Sequence, residues 1–98
     1  MMKIEKKSDD AKVVLELQGR LDTITAPEFE SAIGNLDGIK ELVIDMKNLD
    51  YISSAGLRVI LKAQKIMNEK GAMKLKNVGE SIMEVFEITG FSDFLTIE

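Results

Sequence analysis

The 98-residue chain contains no cysteine and no histidine, and it has a single proline and a single tyrosine. Without cysteine, the chain forms no disulfide, binds no metal through thiolates and has no cysteine nucleophile. Without histidine, it lacks the usual general base near neutral pH and the commonest metal ligand. These absences remove the most frequent routes to acid–base, nucleophilic and metal-dependent chemistry.

Long apolar runs and an excess of basic residues are also missing. The N-terminal MMKIEKKSDD has no apolar segment of signal-peptide length, and no window approaches a transmembrane helix. The net charge is −4 and the pI is near 4.9, which argues against nucleic acid or an anionic membrane surface as the main partner. The length suffices for one small domain, residues 1–98. The simplest location is cytoplasmic.

Strand patterns recur along the chain. In AKVVLELQGRLD, Val13, Leu15 and Leu17 alternate with more polar residues, as in a strand with one buried face. The continuous LVI of KELVIDM is typical of a strand buried on both faces. Three weaker segments complete the predicted strands: MKIEKKS at a sheet edge, AMKLKNV, and FLTIE at the end of the sequence.

Helical patterns alternate with these strands. Thr25 and Glu28 indicate a capping box at the start of TAPEFESAIGNL. A longer helix is predicted over residues 54–70, stopped by Gly71, and a third over ESIMEVFEIT, stopped by Gly90. Strands that alternate with helices imply parallel pairing through right-handed crossovers. The predicted fold is therefore α/β, a mixed sheet of four or five strands with helices packed mainly on one face.

Two adjacent serines, Ser53 and Ser54, stand where an apolar stretch meets the long helix, in LDYISSAGLRVIL (residues 49–61). A nucleophilic serine needs a base within hydrogen-bond reach, and the chain has no histidine. Ile52 occupies the first glycine position of a Gly-x-Ser-x-Gly elbow. No glycine-rich run has the spacing of a phosphate-binding loop. The sequence therefore disfavours a serine hydrolase.

Two other interpretations of the serine pair stay open. A serine at a helix start caps free backbone N–H groups, which stabilises a helix by roughly 1 kcal/mol. The same position favours an anion, so a serine there can also carry a phosphoryl group. Gly56 costs stability inside a first helical turn. It permits the close approach either of a partner or of the sheet beneath the helix.

The segment DMKNLDYISSAGLRVIL resembles the signature of the STAS domain family, the anti-sigma factor antagonists of bacteria. That signature is a strand ending in Asp, a short loop, then Ser, a small residue, Gly, Leu and an apolar helix. LQGRLDTITAPEF is similar to the second strand, the Gly-x-Leu-Asp turn and the start of the first helix of the family. VGESIMEVFEITGFSDFLTI is similar to the closing helix and last strand. The resemblance covers almost the whole chain, and its fold agrees with the order of elements derived above.

The resemblance implies a phosphorylation switch. In the family, a serine just before the second helix is phosphorylated by a partner kinase, which often doubles as the anti-sigma factor. The unphosphorylated form binds that kinase and releases sigma. Matched to this sequence, the acceptor is Ser54, with Ser53 as the alternative. Ser53 stands where members often have Asp, Ala55 where many have a second hydroxyl, and Arg58 where glycine is frequent.

The resemblance further implies a regulatory protein that is not an enzyme. Its expected partner is an anti-sigma factor serine/threonine protein kinase, which brings the nucleotide, so no cofactor or metal is expected. We expect no contact with nucleic acid or membrane, and a monomer when the protein is free. The residues expected at the partner surface are Asp22, Thr23, Ile52, Ser53, Ser54, Ala55, Gly56, Leu57 and Arg58.

Two alternatives accompany this interpretation. Asp22 matches the acid of the family's Gly-x-Leu-Asp turn, but it could equally be a local turn or cap residue. The competing function is that of a STAS accessory or scaffold subunit, serving a lipid transporter or a signalling complex without a phosphorylation cycle.

Overall fold

The order of strands and helices follows the prediction through the third helix, after which the residues up to 98 form a short 3₁₀ turn and a single β-bridge. The computed structural model describes residues 2–98, and Met1, which the predicted domain includes, lies outside the described residues. The elements are β1 (Met2–Asp9), β2 (Lys12–Leu21), α1 (Ala26–Ile33), β3 (Glu41–Ile52), α2 (Ser54–Asn68), β4 (Ala72–Lys76), α3 (Glu80–Thr89) and the 3₁₀ turn Phe91–Asp93. None of the helices that residues 2–98 form has the length and apolarity needed to cross a bilayer.

Residues 2–98 build one mixed sheet of four strands in the order β1-β2-β3-β4. β1 pairs antiparallel with β2, whereas β2 with β3 and β3 with β4 pair parallel, with α1 and α2 as the crossovers. The predicted mixed α/β sheet is therefore confirmed. FLTIE, predicted as a further strand, forms only a single parallel bridge, between Leu75 and Ile97.

The hydrophobic core lies between the helices and one face of the sheet. Val13 and Leu15 of β2 are buried, and the strand register places Leu42 and Ile44 of β3 beside them on the same face. Each of the helices α1, α2 and α3 adds fully buried side chains to this cluster, among them Phe29, Ile60, Met67, Ile82 and Phe86. The helices therefore cover this face, as predicted.

Charged side chains cover the other face of the sheet. Val43 points to this face beside Val14 and Lys74, and it is buried although it lies outside the core cluster. Glu41 forms ion pairs here with Lys12 at 3.9 Å and with Lys74 at 3.3 Å. The contact with the Glu41 carboxylate raises the pKa of Lys74. β3 is thus buried on both faces, as its apolar run predicts. On the face opposite the helices, however, long charged side chains cover it.

The family signature implies that this strand ends at Asp45 and that a loop precedes the serines. That expectation is wrong. β3 continues to Ile52, because two bulges allow its 12 residues to pair along the 10 residues of β2. The pairing register shifts just before Gln18 and again just after Gly19. As a result Leu21 and Ile52, the last residues of the two strands, lie opposite each other.

The predicted capping box of α1 is also wrong. Thr25 is the N-cap residue, but its backbone is already helical (φ −91°, ψ −15°) and its side chain makes no capping hydrogen bond. Its hydroxyl instead donates to the Arg20 carbonyl at 2.8 Å and accepts from the Asp22 N–H at 2.8 Å. The residues before α1 already form a helical turn, in which the Ala26 N–H donates to the Asp22 carbonyl at 2.8 Å. The capping role therefore moves back to Asp22.

Glycines end α2 and α3 for different physical reasons. α2 ends at Asn68, slightly earlier than predicted, and Gly71 follows where the chain passes close to the preceding connection. A Cβ atom at Gly71 would lie 2.0 Å from the Lys40 carbonyl oxygen, so this position needs glycine for space. Gly90 ends α3 in the left-handed conformation (φ 81°), as predicted, and there glycine is needed for its backbone freedom.

Candidate functional site

The ends of β2 and β3 bring the Gly-x-Leu-Asp turn and the serine pair together. Leu21 and Ile52 form the last pair of the parallel ladder. The Ser53 N–H donates to the Leu21 carbonyl at 2.8 Å. Asp22 and Ser53 therefore leave the sheet side by side, Asp22 toward α1 and Ser53 toward α2. This neighbourhood is the candidate site.

The two serine hydroxyls have different environments. Ser53 is the N-cap of α2; it is half-buried, and its Oγ accepts a hydrogen bond from the Gly56 N–H at 3.4 Å. Ser54 is the first residue of the helix and is exposed. Within residues 2–98, its hydroxyl makes no hydrogen bond to another side chain. One hydroxyl therefore stabilises the helix start, and the other is free for chemistry.

Gly56 is required by packing against the sheet. A Cβ atom there would lie 2.6 Å from Leu21 Cγ and 2.9 Å from Leu21 Cδ2, closer than real carbon contacts allow, and 3.1 Å from Ile52 Cγ1, a tight contact. Glycine thus lets the first turn of α2 sit directly on the last pair of the ladder. Ile52, Gly56 and Leu57, all expected at the partner surface, are buried here. The Ile52 and Leu57 side chains support the surface from beneath and are not available to a partner in this conformation.

Asp22 organises the turn that faces the serines. Its carboxylate accepts hydrogen bonds from the Ile24 and Thr25 N–H groups, both at 3.0 Å, and Thr25 Oγ1 lies 3.2 Å from the same carboxylate. The backbone hydrogen bond from Thr25 is the main reason that the pKa of Asp22 is lowered. The turn-and-cap interpretation of Asp22 is therefore confirmed, and the same bonds hold its negative charge beside the site.

Replacing Asp22 should make the stability of the protein less sensitive to acid. Because the folded-state pKa is lowered, the stabilising contribution of Asp22 is fully present above the unfolded pKa of roughly 3.9. It is lost as the pH falls through the folded pKa. Asp22→Asn should therefore lower the free energy of unfolding at pH 7, and the deficit should shrink as the pH falls below that unfolded value. Urea titrations across this range measure the effect.

The matched control for this experiment is Asp50→Asn. Asp50 is an exposed carboxylate on β3 that makes no hydrogen bond or ion pair with other side chains of residues 2–98. Its replacement should change the pH profile less than Asp22→Asn does. If the free energy of unfolding lost in Asp22→Asn stayed constant across the pH range, the stability of the protein would not depend on the charge of Asp22, and the prediction would be wrong.

Three residues of the site were missed from the sequence. The Arg20 guanidinium lies 4.2 Å from the centre of the Tyr51 ring, and Arg20 Nε lies 3.9 Å from Asp22 Oδ2. Tyr51 is 41% exposed, and Ile24, held by its N–H bond to Asp22, is 86% exposed. An isoleucine within a polar turn was a signal that could have identified Ile24. Ile24 and Tyr51 add exposed apolar and aromatic surface around the Asp22 turn and the end of β3.

A shallow groove of about 280 Å³ runs from this site between α1 and α2. Thr23 and Ala55 line the end near the serines, and Arg58 lies on the α2 wall. Farther along, Lys62 of α2 forms an ion pair with Glu30 of α1 across the groove. The exposed predicted residues Thr23, Ser54 and Arg58 therefore share one surface, which continues into the groove.

The chemistry available at this surface is limited. Within residues 2–98, no basic group is hydrogen-bonded to the Ser54 hydroxyl. The same part of the chain brings no three metal-binding side chains close enough to hold a metal ion. The geometry offers an exposed hydroxyl at a helix N-terminus, the exposed residues Thr23 and Arg58 on the same surface, and a carboxylate in the neighbouring turn.

Comparison with known proteins gives a consistent result. The STAS domain family model matches residues 2–98. BtrV of Bordetella bronchiseptica, described as a candidate anti-sigma factor antagonist, is 37% identical over 93 residues, which are 92% of this chain and 80% of BtrV. The chain therefore belongs to the STAS domain family.

Solved structures share the fold at lower sequence identity. An anti-sigma factor antagonist from Mycobacterium paratuberculosis matches with a TM-score of 0.88 at 22% identity, over 99% of this chain and 85% of that chain. SpoIIAA, a Bacillus cell fate determinant, matches in its phosphorylated form with a TM-score of 0.75 at 18% identity, over 100% of this chain and 91% of that chain. These likenesses establish the fold.

Proposed function

We propose that the chain is an anti-sigma factor antagonist that binds an anti-sigma factor serine/threonine kinase and is phosphorylated by it on Ser54. The observation that carries this proposal is the exposed Ser54 hydroxyl at the first position of α2, beside a neighbour whose hydroxyl is engaged in capping. Two relatives support it by name, BtrV and the mycobacterial protein. SpoIIAA, a third, has been solved in a phosphorylated form.

The kinase supplies the chemistry in this proposal. The Ser54 oxygen attacks the γ-phosphorus of ATP, the bond from that phosphorus to the β,γ-bridging oxygen breaks, and ADP leaves. The hydroxyl proton passes to a base of the kinase, because no base adjoins Ser54 within residues 2–98. The helix N-terminus then favours the added negative charge. The chain itself needs neither cofactor nor metal.

The proposed docking surface includes exposed apolar side chains in the turn after β2 and at the end of β3. Ile24 and Tyr51 are exposed there, and desolvating such side chains contributes favourably to binding. Thr23, Ser54 and Arg58 supply the polar part of the surface. A partner that covers these residues also covers the Ser54 hydroxyl. The same kinase can therefore bind the surface and phosphorylate Ser54. We propose that this occurs in the cytoplasm, with the free protein as a monomer.

Phosphopeptide mapping after incubation with candidate kinases and ATP should place the phosphate on Ser54. Ser54→Ala should abolish labelling, because it removes the only exposed hydroxyl of the serine pair. Ser53→Ala should keep the acceptor, while the lost cap lowers the stability of the protein by roughly 0.5–2 kcal/mol. Mass spectrometry and urea unfolding measure the two effects separately.

Two outcomes would contradict this assignment in different ways. Labelling that persists in Ser54→Ala and vanishes in Ser53→Ala would make Ser53 the acceptor. Stable binding of a partner with no labelling of either serine would favour the scaffold function, in which the domain binds without a phosphorylation cycle.

A further inference from the structure

We infer that Arg58 binds the phosphate once Ser54 is phosphorylated, and holds it against the first turn of α2. This inference rests on the proposed function. Ser54 and Arg58 are both exposed and lie four residues apart on the same helix. Side chains at this spacing are neighbours, with about 5–6 Å between their Cβ atoms. Because helical side chains lean toward the N-terminus, the long Arg58 side chain can extend back over Ser54.

Arg58 has no competing anionic partner. Among the ion pairs and hydrogen bonds of residues 2–98, none involves the Arg58 guanidinium, whereas Lys62, the next cation along α2, is paired with Glu30. A guanidinium also matches a phosphate in shape, because its N–H groups can donate two parallel hydrogen bonds. An anion N-terminal to a cation at this spacing is the favourable order on a helix.

The other arginine near the site is already engaged. Arg20 lies over the Tyr51 ring and faces the Asp22 carboxylate at 3.9 Å. Moving it to a phosphate would break both contacts, whereas moving Arg58 breaks none within residues 2–98. Arg58 is therefore the positioning residue for the phosphate. Arg58 lines the groove between α1 and α2 in this conformation. When Arg58 binds the phosphate, the docking surface therefore changes both in charge and in the position of this side chain.

The test uses the full chain with phosphoserine incorporated translationally at position 54, so that no kinase is needed. NMR of the arginine side chains should show the Arg58 Nε–Hε signal shifted and protected from solvent exchange in the phosphorylated form. The change in melting temperature on phosphorylation should be about 1–4 °C more favourable in the parent chain than in Arg58→Gln, the size expected for one helical ion pair.

Lys65→Gln is the matched control. Lys65 is an exposed cation on the same side of α2, about three turns from Ser54, with no ion pair within residues 2–98. This variant removes the same charge and should respond to phosphorylation like the parent chain. Arg58→Lys should respond in between, since it keeps the charge but loses the planar fork.

An unchanged Arg58 signal, or equal melting shifts in Arg58→Gln and Lys65→Gln, would overturn the inference. If Arg58 pairs with the incorporated phosphoserine but no kinase labels Ser54, the proposed function fails while the phosphate contact stands. The two failures are thus distinguishable.

Discussion

Phosphorylation of Ser54 is expected to weaken binding of the kinase more than a hundredfold, which corresponds to a loss of about 3 kcal/mol. Phosphate adds about −1.5 to −2 charges to a surface that already carries the Asp22 carboxylate. In the complex this charge must be desolvated at the docking surface, which includes the exposed apolar side chains Ile24 and Tyr51. Arg58 neutralises only part of it. The block is therefore local, and the domain need not refold.

Calorimetric titration of the kinase with unmodified and phosphorylated protein measures the affinity, and backbone amide NMR locates the structural change. Shifts should cluster at residues 52–58 and near Asp22. Phosphoserine incorporated instead at Ser81, exposed in the first turn of α3, is the matched control, because it adds the same charge at another helix start. It should leave the affinity nearly unchanged.

Three results would count against this mechanism. Unchanged affinity after phosphorylation of Ser54 would exclude the switch. Amide shifts spread over the whole sheet would indicate refolding in place of a local block. An equal loss of affinity from phosphoserine at Ser81 would point to a general effect of net charge.

Ile44→Ala is expected to have the largest effect on stability, a loss of roughly 2–5 kcal/mol. Ile44 lies in the interior strand β3, is fully buried and belongs to the core between sheet and helices. Removing three carbon atoms from this position leaves a cavity that the parallel neighbours Leu15 and Leu75 cannot close without breaking the strand register. A loss of this size is a large part of the 5–15 kcal/mol typical of a small domain.

Urea or thermal unfolding followed by circular dichroism checks this expectation. Lys65→Ala is the control, because Lys65 is exposed on α2 and makes no ion pair within residues 2–98. Lys62 is less suitable, because it is paired with Glu30. The control should change the free energy of unfolding by no more than about 0.5 kcal/mol. Small and similar effects of the two variants would contradict the placement of β3 in the core.

Most elements could be predicted from the sequence, because buried residues recur about every two positions in a strand and about every 3.6 positions in a helix. The alternation of Val13, Leu15 and Leu17 identified β2 and its buried face. The continuous LVI of KELVIDM identified β3 as a strand buried on both faces. Such patterns depend only on neighbours along the chain and on which side faces the core.

Predictions that involved hydrogen-bond geometry were less successful. The sequence Thr25–Glu28 has the composition of a capping box, but Asp22 caps the preceding turn and engages the Thr25 hydroxyl. Composition cannot distinguish two successive cap positions that compete for the same N–H groups. The serine pair posed the same problem, because the start of α2 determines which hydroxyl caps and which is free.

The amino-acid sequence was sufficient for the class of fold, for most of the order of the elements and for the family resemblance, since each of these depends on local pattern. The assembly of the site depended on contacts between distant segments. Two bulges, which arise only when β3 pairs with β2, extend the ladder until Leu21 meets Ile52. That pairing puts Asp22 beside the serines. Because Gly56 has no side chain, the first turn of α2 packs directly on Leu21 and Ile52. No local pattern encodes such a register, because it results from the packing of the whole sheet.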